Sequence, residues 1–217
     1  MARSQPDRFL IVNADDFGLA PGVTQGILEL ARLGIVTSTS AIVTVPGSLE
    51  ALAQARQAGL DVGVHLTLCA GAPLLRSHLV PSLVEPGGRF VSAYSIVRRR
   101  FSGRLRLAEV EREWAAQVEH VLAAGIRPSH LDSHCHLHSV PGLYRLTLRL
   151  ARRYGIPGVR RAHSGFILQA PRLPAVRRIP RSGGTPDGHP YQPAHFSVLT
   201  VLGLSLIHIS EPTRQAE

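Results

Sequence analysis

Ser129–Ser139 reads S-H-L-D-S-H-C-H-L-H-S. His130, Asp132, His134, His136 and His138 occupy every second position, separated by Leu131, Ser133, Cys135 and Leu137. In a β-strand alternate residues point to the same face. If the stretch is a strand, all of these ionisable groups share one side, and its first half is expected to be one. Imidazoles and a carboxylate make a poor hydrophobic core. They make a good metal site, because neutral imidazole and carboxylate are standard ligands for zinc and related cations. The plainer alternative is a histidine-rich solvent face. Isolated His-x-His pairs are common, but so long an alternation is not. The rest of the chain reads as a frame around this stretch.

Composition narrows the choices. The chain has 217 residues, 44% hydrophobic and 18% charged, which suits one globular domain with a core and excludes wholesale disorder. The net charge is +9 and every basic residue is arginine, with a local knot at Arg98, Arg99, Arg100, Arg104 and Arg106. Only 5% of residues are aromatic and no binding motif accompanies the knot, so no nucleic-acid partner is expected. Two cysteines, Cys69 and Cys135, do not make a disulfide framework. The apolar run Phe9–Val12 is too short for a signal-peptide core. No segment is long enough to span a membrane, and a cytoplasmic protein is expected.

Elements alternate along the chain. Phe9–Val12 predicts a buried parallel strand ending in Asn13-Ala14-Asp15-Asp16-Phe17-Gly18. A helix is expected over Gly22–Leu33, with Val23, Ile27, Leu30 and Ala31 on one face, Pro21 in its first turn and Gly34 at its end. Ser38–Val45 predicts a second strand. Ser48 is expected to cap a helix running to Ala58. Asp61–Leu68 predicts a third strand carrying His65. Ala70–Phe101 is irregular and reads as a long functional excursion. Leu107–Ala124 and Pro141–Tyr154 predict helices, and Val159–Arg161 a further strand. This alternation predicts an α/β fold with parallel strands and no domain boundary before Ala162.

Acids and imidazoles thus fall at several strand ends: Asp15 and Asp16, His65, and Asp132 with His134. Ligands gather at the carboxyl ends of strands in parallel α/β folds, so these groups can converge. Alone, Asp15-Asp16 also suits a polar turn, and His65 a satisfied core histidine.

Together the motifs are specific. N-A-D-D-F-G (Asn13–Gly18), T-S-T-S (Thr37–Ser40) closing the first helix turn, G-V-H-L-T-L (Gly63–Leu68) and H-L-D-S-H-C-H-L-H (His130–His138) resemble the YdjC-like, or ChbG/HpnK, family of carbohydrate deacetylases. The resemblance runs from about Arg8 to Arg161. It implies a distorted (β/α) TIM-like barrel of the glycoside hydrolase/deacetylase superfamily. It also implies metal-dependent removal of an acetyl group from an N-acetylated amino sugar. The implied metal ligands are Asp16, His65 and His134, holding one divalent ion, magnesium or zinc. Asp15 is the implied general base. Asp132 and His130 would line the site or support its ligands. His136 or His138 would give a proton to the leaving amine. The implied substrate is a chitooligosaccharide or a hopanoid- or other lipid-linked amino sugar, and a homodimer is a further expectation.

Metal-dependent phosphoesterases and amidohydrolases also gather His and Asp at barrel mouths. An amidohydrolase calls for His-x-His on the first strand, where this chain has Asp15-Asp16. An inactive sugar- or metal-binding module is the non-enzyme alternative, and Asp15 argues against it. Leu204–Arg214, L-S-L-I-H-I-S-E-P-T-R, resembles the in-frame translation of a sequencing-library adapter. The expectation is a deacetylase domain over 1–203 and a non-native tail over 204–217, with His208 outside the site. A full barrel takes ~250 residues, so this one is expected to be incomplete at its C-terminus.

Overall fold

The computed structural model describes residues 11–160. The start of the first apolar run (Phe9 and Leu10), Arg161, the Pro- and Gly-rich segment after it, the 203/204 boundary and His208 lie outside the described residues. Strands β1 (Asn13–Phe17), β2 (Ser38–Ala41), β3 (Asp61–Leu66), β4 (His130–Ser133) and β5 (Gly158–Val159) form one sheet. Every neighbouring pair is parallel and the order follows the chain. Helices α1 (Pro21–Arg32), α2 (Ser48–Gln57), α3 (Ala93–Phe101), α4 (Leu107–Ala123) and α5 (Leu143–Arg153) make the connections. The expected parallel α/β class is what the structure shows. A sheet that grows always at the same edge is wound in one sense, as in a (β/α) barrel, whereas a doubly wound sheet reverses at a switch point. The expectation of barrel closure concerns the chain after Arg160, outside the described residues.

Register separates the two faces. Ala41 pairs with Val64, Val64 with Leu131, and Leu131 with Val159. Val64, Leu131 and Val159 are fully buried on this apolar face. Helix α1 packs on β1, α4 on β3, and α5 on β4 and β5. Burial of each such Leu or Val stabilises the fold by ~1.5–3 kcal/mol. The other face is polar: Ser40 pairs with Gly63, His130 with Gly158, and His65 with Asp132. Gly63 makes room for His130, since a Cβ built there would lie 2.3 Å from the His130 ring.

Several expectations need correction. Ile11 and Val12 precede the first strand rather than form it: Asn13–Phe17, in which the apolar run was expected to end, is itself the strand. Ala14 pairs with Thr39 and Phe17 with Ala41, which leaves Asp15 and Asp16 together opposite Ser40. That is a β-bulge, and Asp16 sits in it at φ 64°, a left-handed conformation that aspartate tolerates better than most residues. Thr37–Ser40 does not close a helix turn; it leads into and forms β2. Strands β2 and β3 stop earlier than expected, at Ala41 and Leu66. Gly47, at φ 83°, caps α2 in place of Ser48, whose hydroxyl donates to the Val43 carbonyl. The irregular excursion contains α3, capped by Ser92, which accepts from the Ser95 amide.

The histidine stretch is a strand in its first half, as expected. β4 ends at Ser133, and His134–Ser139 coil into a short 3₁₀ turn with Cys135 and His136 at φ 54° and 52°. The Ser133 hydroxyl accepts the His138 amide and so draws the backbone out of the ladder. His130 and Asp132 therefore share a strand face, while His134, His136 and His138 are placed by the turn.

Candidate active site

The bulge in β1 lets two adjacent acids act on different partners. Asp16 Oδ1 accepts from His134 Nδ1 at 2.7 Å and lies 3.2 Å from His65 Nε2. Asp15 Oδ2 accepts from Arg160 Nη1 at 2.6 Å, and Asp15 Oδ1 from Asn13 Nδ2 at 2.7 Å. His65, at the end of β3, faces its sheet partner Asp132 on β4, with His65 Nδ1 donating to Asp132 Oδ1 at 2.7 Å. That bond fixes the ring and turns Nε2 towards Asp16. Asp132 Oδ2 accepts from Ser40 Oγ at 3.0 Å and from Arg160 Nη1 at 2.8 Å. Arg160, just past β5, thus ties Asp15 to Asp132.

The electrostatics follow from this packing. Burial pushes Asp16 up, but hydrogen bonds from His134 and His65 outweigh it and hold the carboxyl below the usual carboxylate range. Burial likewise opposes ionisation of Asp132, and the charge and hydrogen bond of His65 overcome it. Burial pulls His65 down, but the charge and hydrogen bond of Asp132, aided by Asp16, raise it to about 10. The Asp16 hydrogen bond, then that of Cys135, raises His134 to about 9.

Asp16, His65 and His134 offer ligand atoms that all lie within 4.8 Å of one another, and Asp15, His65 and Asp132 form an overlapping group. The first set fits a divalent cation. Its two Asp16 contacts, 2.7 and 3.2 Å, approach the ~3 Å ligand separations of a polyhedron with bonds of ~2.1 Å. One carboxylate and two imidazoles also leave coordination positions for water and substrate.

The other predicted residues are placed as follows. His130 lies beside the cluster, with Nε2 2.9 Å from Ser40 Oγ and Nδ1 3.0 Å from Ser129 Oγ. His136 is on the exposed side of the turn. His138 is fully buried; its Nδ1 bonds the Ser133 hydroxyl and its Nε2 donates to the Arg160 carbonyl at 3.1 Å. Burial lowers His138 to about 4. Sequence reasoning missed Arg160, Ser40 and Asn13. The available signal was the sheet register: each falls on the polar face or at a strand end, at the level of Asp15, His65 or Asp132.

A family model described as YdjC-like protein matches residues 9–195. A carbohydrate deacetylase of Halalkalibacterium halodurans is 42% identical over 151 residues, covering 68% of this chain and 62% of the relative. One from Enterococcus faecalis is 44% identical over 153 residues, covering 68% and 56%. The chain thus spans about three-fifths of the length of the curated relatives it matches. A crystal structure of an Enterococcus faecalis protein, provisionally described as a cellobiose-phosphate cleavage protein, superposes with a TM-score of 0.67. It is 42% identical, and the match covers 74% of this chain and 61% of that one.

Proposed function

We propose a function from this premise: the chain belongs to the YdjC-like family. It is a carbohydrate deacetylase that hydrolyses the acetamide of an N-acetylated amino sugar with the help of one divalent cation. The observation that carries the reading is the convergence of Asp16, His65 and His134 beside a separately held second carboxylate, Asp15. Relatives named carbohydrate deacetylase support the reaction class.

Asp16, His65 and His134 would hold the cation. Bound there, it would polarise the acetyl carbonyl and acidify a water. Asp132 orients His65 through Nδ1, which directs Nε2 at the ligand position. Arg160 and Asn13 fix the Asp15 carboxylate from two sides. So held, Asp15 is the group that takes the proton of the attacking water. The leaving amine needs a proton, and His136 is the better placed donor, because both nitrogens of His138 are engaged in the scaffold. Ser40 and His130 complete the polar wall.

The substrate is a chitooligosaccharide or a lipid-linked amino sugar, and the cation is magnesium or zinc. The test is acetate release from a panel containing N,N′-diacetylchitobiose and a lipid-linked N-acetylglucosamine. Stoichiometric acetate from one of them, reduced by about 100-fold or more in Asp15→Asn, is the expected result. Full turnover in Asp15→Asn would remove Asp15 as the base. Release of phosphate from sugar phosphates, with no acetate from any sugar, would favour the phosphoesterase reading.

A further inference from the structure

The chain's two cysteines meet at the edge of the site. Cys69 follows β3 and Cys135 lies in the turn after β4. Cys69 Sγ, Cys135 Sγ and a His134 ring nitrogen all lie within 4.8 Å of one another. Both halves of the pair are held in place. On one side, Thr67 Oγ1 accepts the amides of Cys69 and Ala70, and Gln117 grips the Thr67 backbone through both its N–H and its carbonyl. On the other, Cys135 and His136 adopt left-handed φ of 54° and 52°, which non-glycine residues avoid. Such backbone outliers persist where the surroundings over-determine them, and they cluster at ligand sites. Cys135 is exposed, so the pair is reachable from solvent.

Two sulfurs and an imidazole are a zinc-type donor set, complete in a tetrahedron with one water. Thiolate donors select soft cations, whereas the Asp16–His65–His134 set is richer in hard and borderline donors. We propose that Cys69, His134 and Cys135 form a second site for a soft divalent cation such as cadmium or zinc, and that it competes with the first site for His134. His134 belongs to both donor groups. A neutral imidazole offers one lone pair, so His134 serves one cation at a time and filling the thiol site weakens the other. The device makes the protein sensitive to thiophilic metal. Its competition arm rests on the metal centre of the proposed function; the thiol site itself does not.

The test uses the whole chain, kept reduced with a phosphine, and cadmium ion as the probe. A sulfur-to-cadmium charge-transfer band should grow and saturate at one cadmium per chain. It should vanish in Cys69→Ser/Cys135→Ser, whose fold is checked by circular dichroism, and weaken in either single serine variant. Bound cadmium should weaken uptake of manganese ion, followed by electron paramagnetic resonance, by about tenfold or more in the wild type and far less in the double variant. No sulfur band, or saturation at one cadmium per two chains, would overturn the thiol site. A saturating band with unchanged manganese affinity would overturn the competition. A band with no manganese uptake in cadmium-free protein would instead count against the metal centre of the proposed function, while supporting the thiol site.

Discussion

Asp15 and Asp16 are chemically identical neighbours with different surroundings. The bulge in β1 sends one to Arg160 and Asn13 and the other to two imidazoles. Nothing in the dipeptide separates their roles; the register of β1 against β2 does. Asp132 acts one step back, through His65. Asp132→Asn keeps the shape but loses the acceptor charge that holds His65, so metal affinity or turnover should fall by ~10–100-fold. Isothermal titration with the activating metal, beside turnover, checks this, and wild-type values for both would contradict it. His138 gives a pH prediction. Burial lowers it from 6.5 to about 4, so between those values the unfolded chain binds more protons than the folded one. Stability from this residue is therefore full above the unfolded value, is lost as pH falls through that window, and levels off below it. The loss amounts to about 3 kcal/mol. Urea unfolding at neutral pH and at about pH 5 should show a steeper loss in the wild type than in His138→Gln. Equal slopes would mean that His138 is not held neutral.

Helix α4 shows what an element contributes beyond its apolar face. Val110, Trp114, Val118 and Val121 are buried, as their helical spacing predicts. Glu109, Glu113 and Gln117 are buried as well, and these are not packing residues. Glu109 accepts the Ser82 amide, Glu113 the amides of Leu74 and Leu75, and Gln117 clasps Thr67. The stripe supplies partners to loop amides that have no strand or helix to satisfy them. Burial raises Glu113, against the hydrogen bonds of Gln117, Leu74 and Leu75. Glu113→Ala should cost ~1–3 kcal/mol and raise hydrogen exchange at Leu74 and Leu75, and unchanged exchange there would contradict the anchoring role. Gly63→Ala should cost a similar ~1–3 kcal/mol, because the new Cβ meets a His130 ring that Ser40 and Ser129 hold in place.

These elements also show what was legible in the sequence. Helices α1, α4 and α5 announce themselves by periodicity and end close to where Gly34, Gly125 and Gly155 mark them. Helix α3 was lost among prolines, glycines and arginines. The motifs gave the residues that converge, because chemistry-bearing types at strand ends stand out against apolar runs. They did not give Arg160, whose part depends on the register of β5. A strand in the first half of the histidine stretch was legible, but the left-handed turn that follows was not, because it depends on the Ser133 hydroxyl taking a backbone amide.

Over the whole molecule, one face of a parallel sheet carries the apolar core and the other carries the site. β1, β3, β4 and the end of β5 each bring a group to it, so no single segment holds the constellation. No helix among the described residues is long and apolar enough to cross a membrane. A cation that binds only the assembled site must stabilise the fold by mass action, by ~2.7 kcal/mol at a hundredfold excess over its Kd. The midpoint of thermal unfolding should rise with the activating metal and should not rise in His65→Ala. The most direct measurement is acetate release from the preferred acetylated amino sugar with a chelator present and after metal is restored. Acetate that stops on chelation and returns with the cation is the expected result, and it should fail to return in His65→Ala. Acetate released at an undiminished rate in metal-free protein would show that Asp16, His65 and His134 do not work as a metal centre.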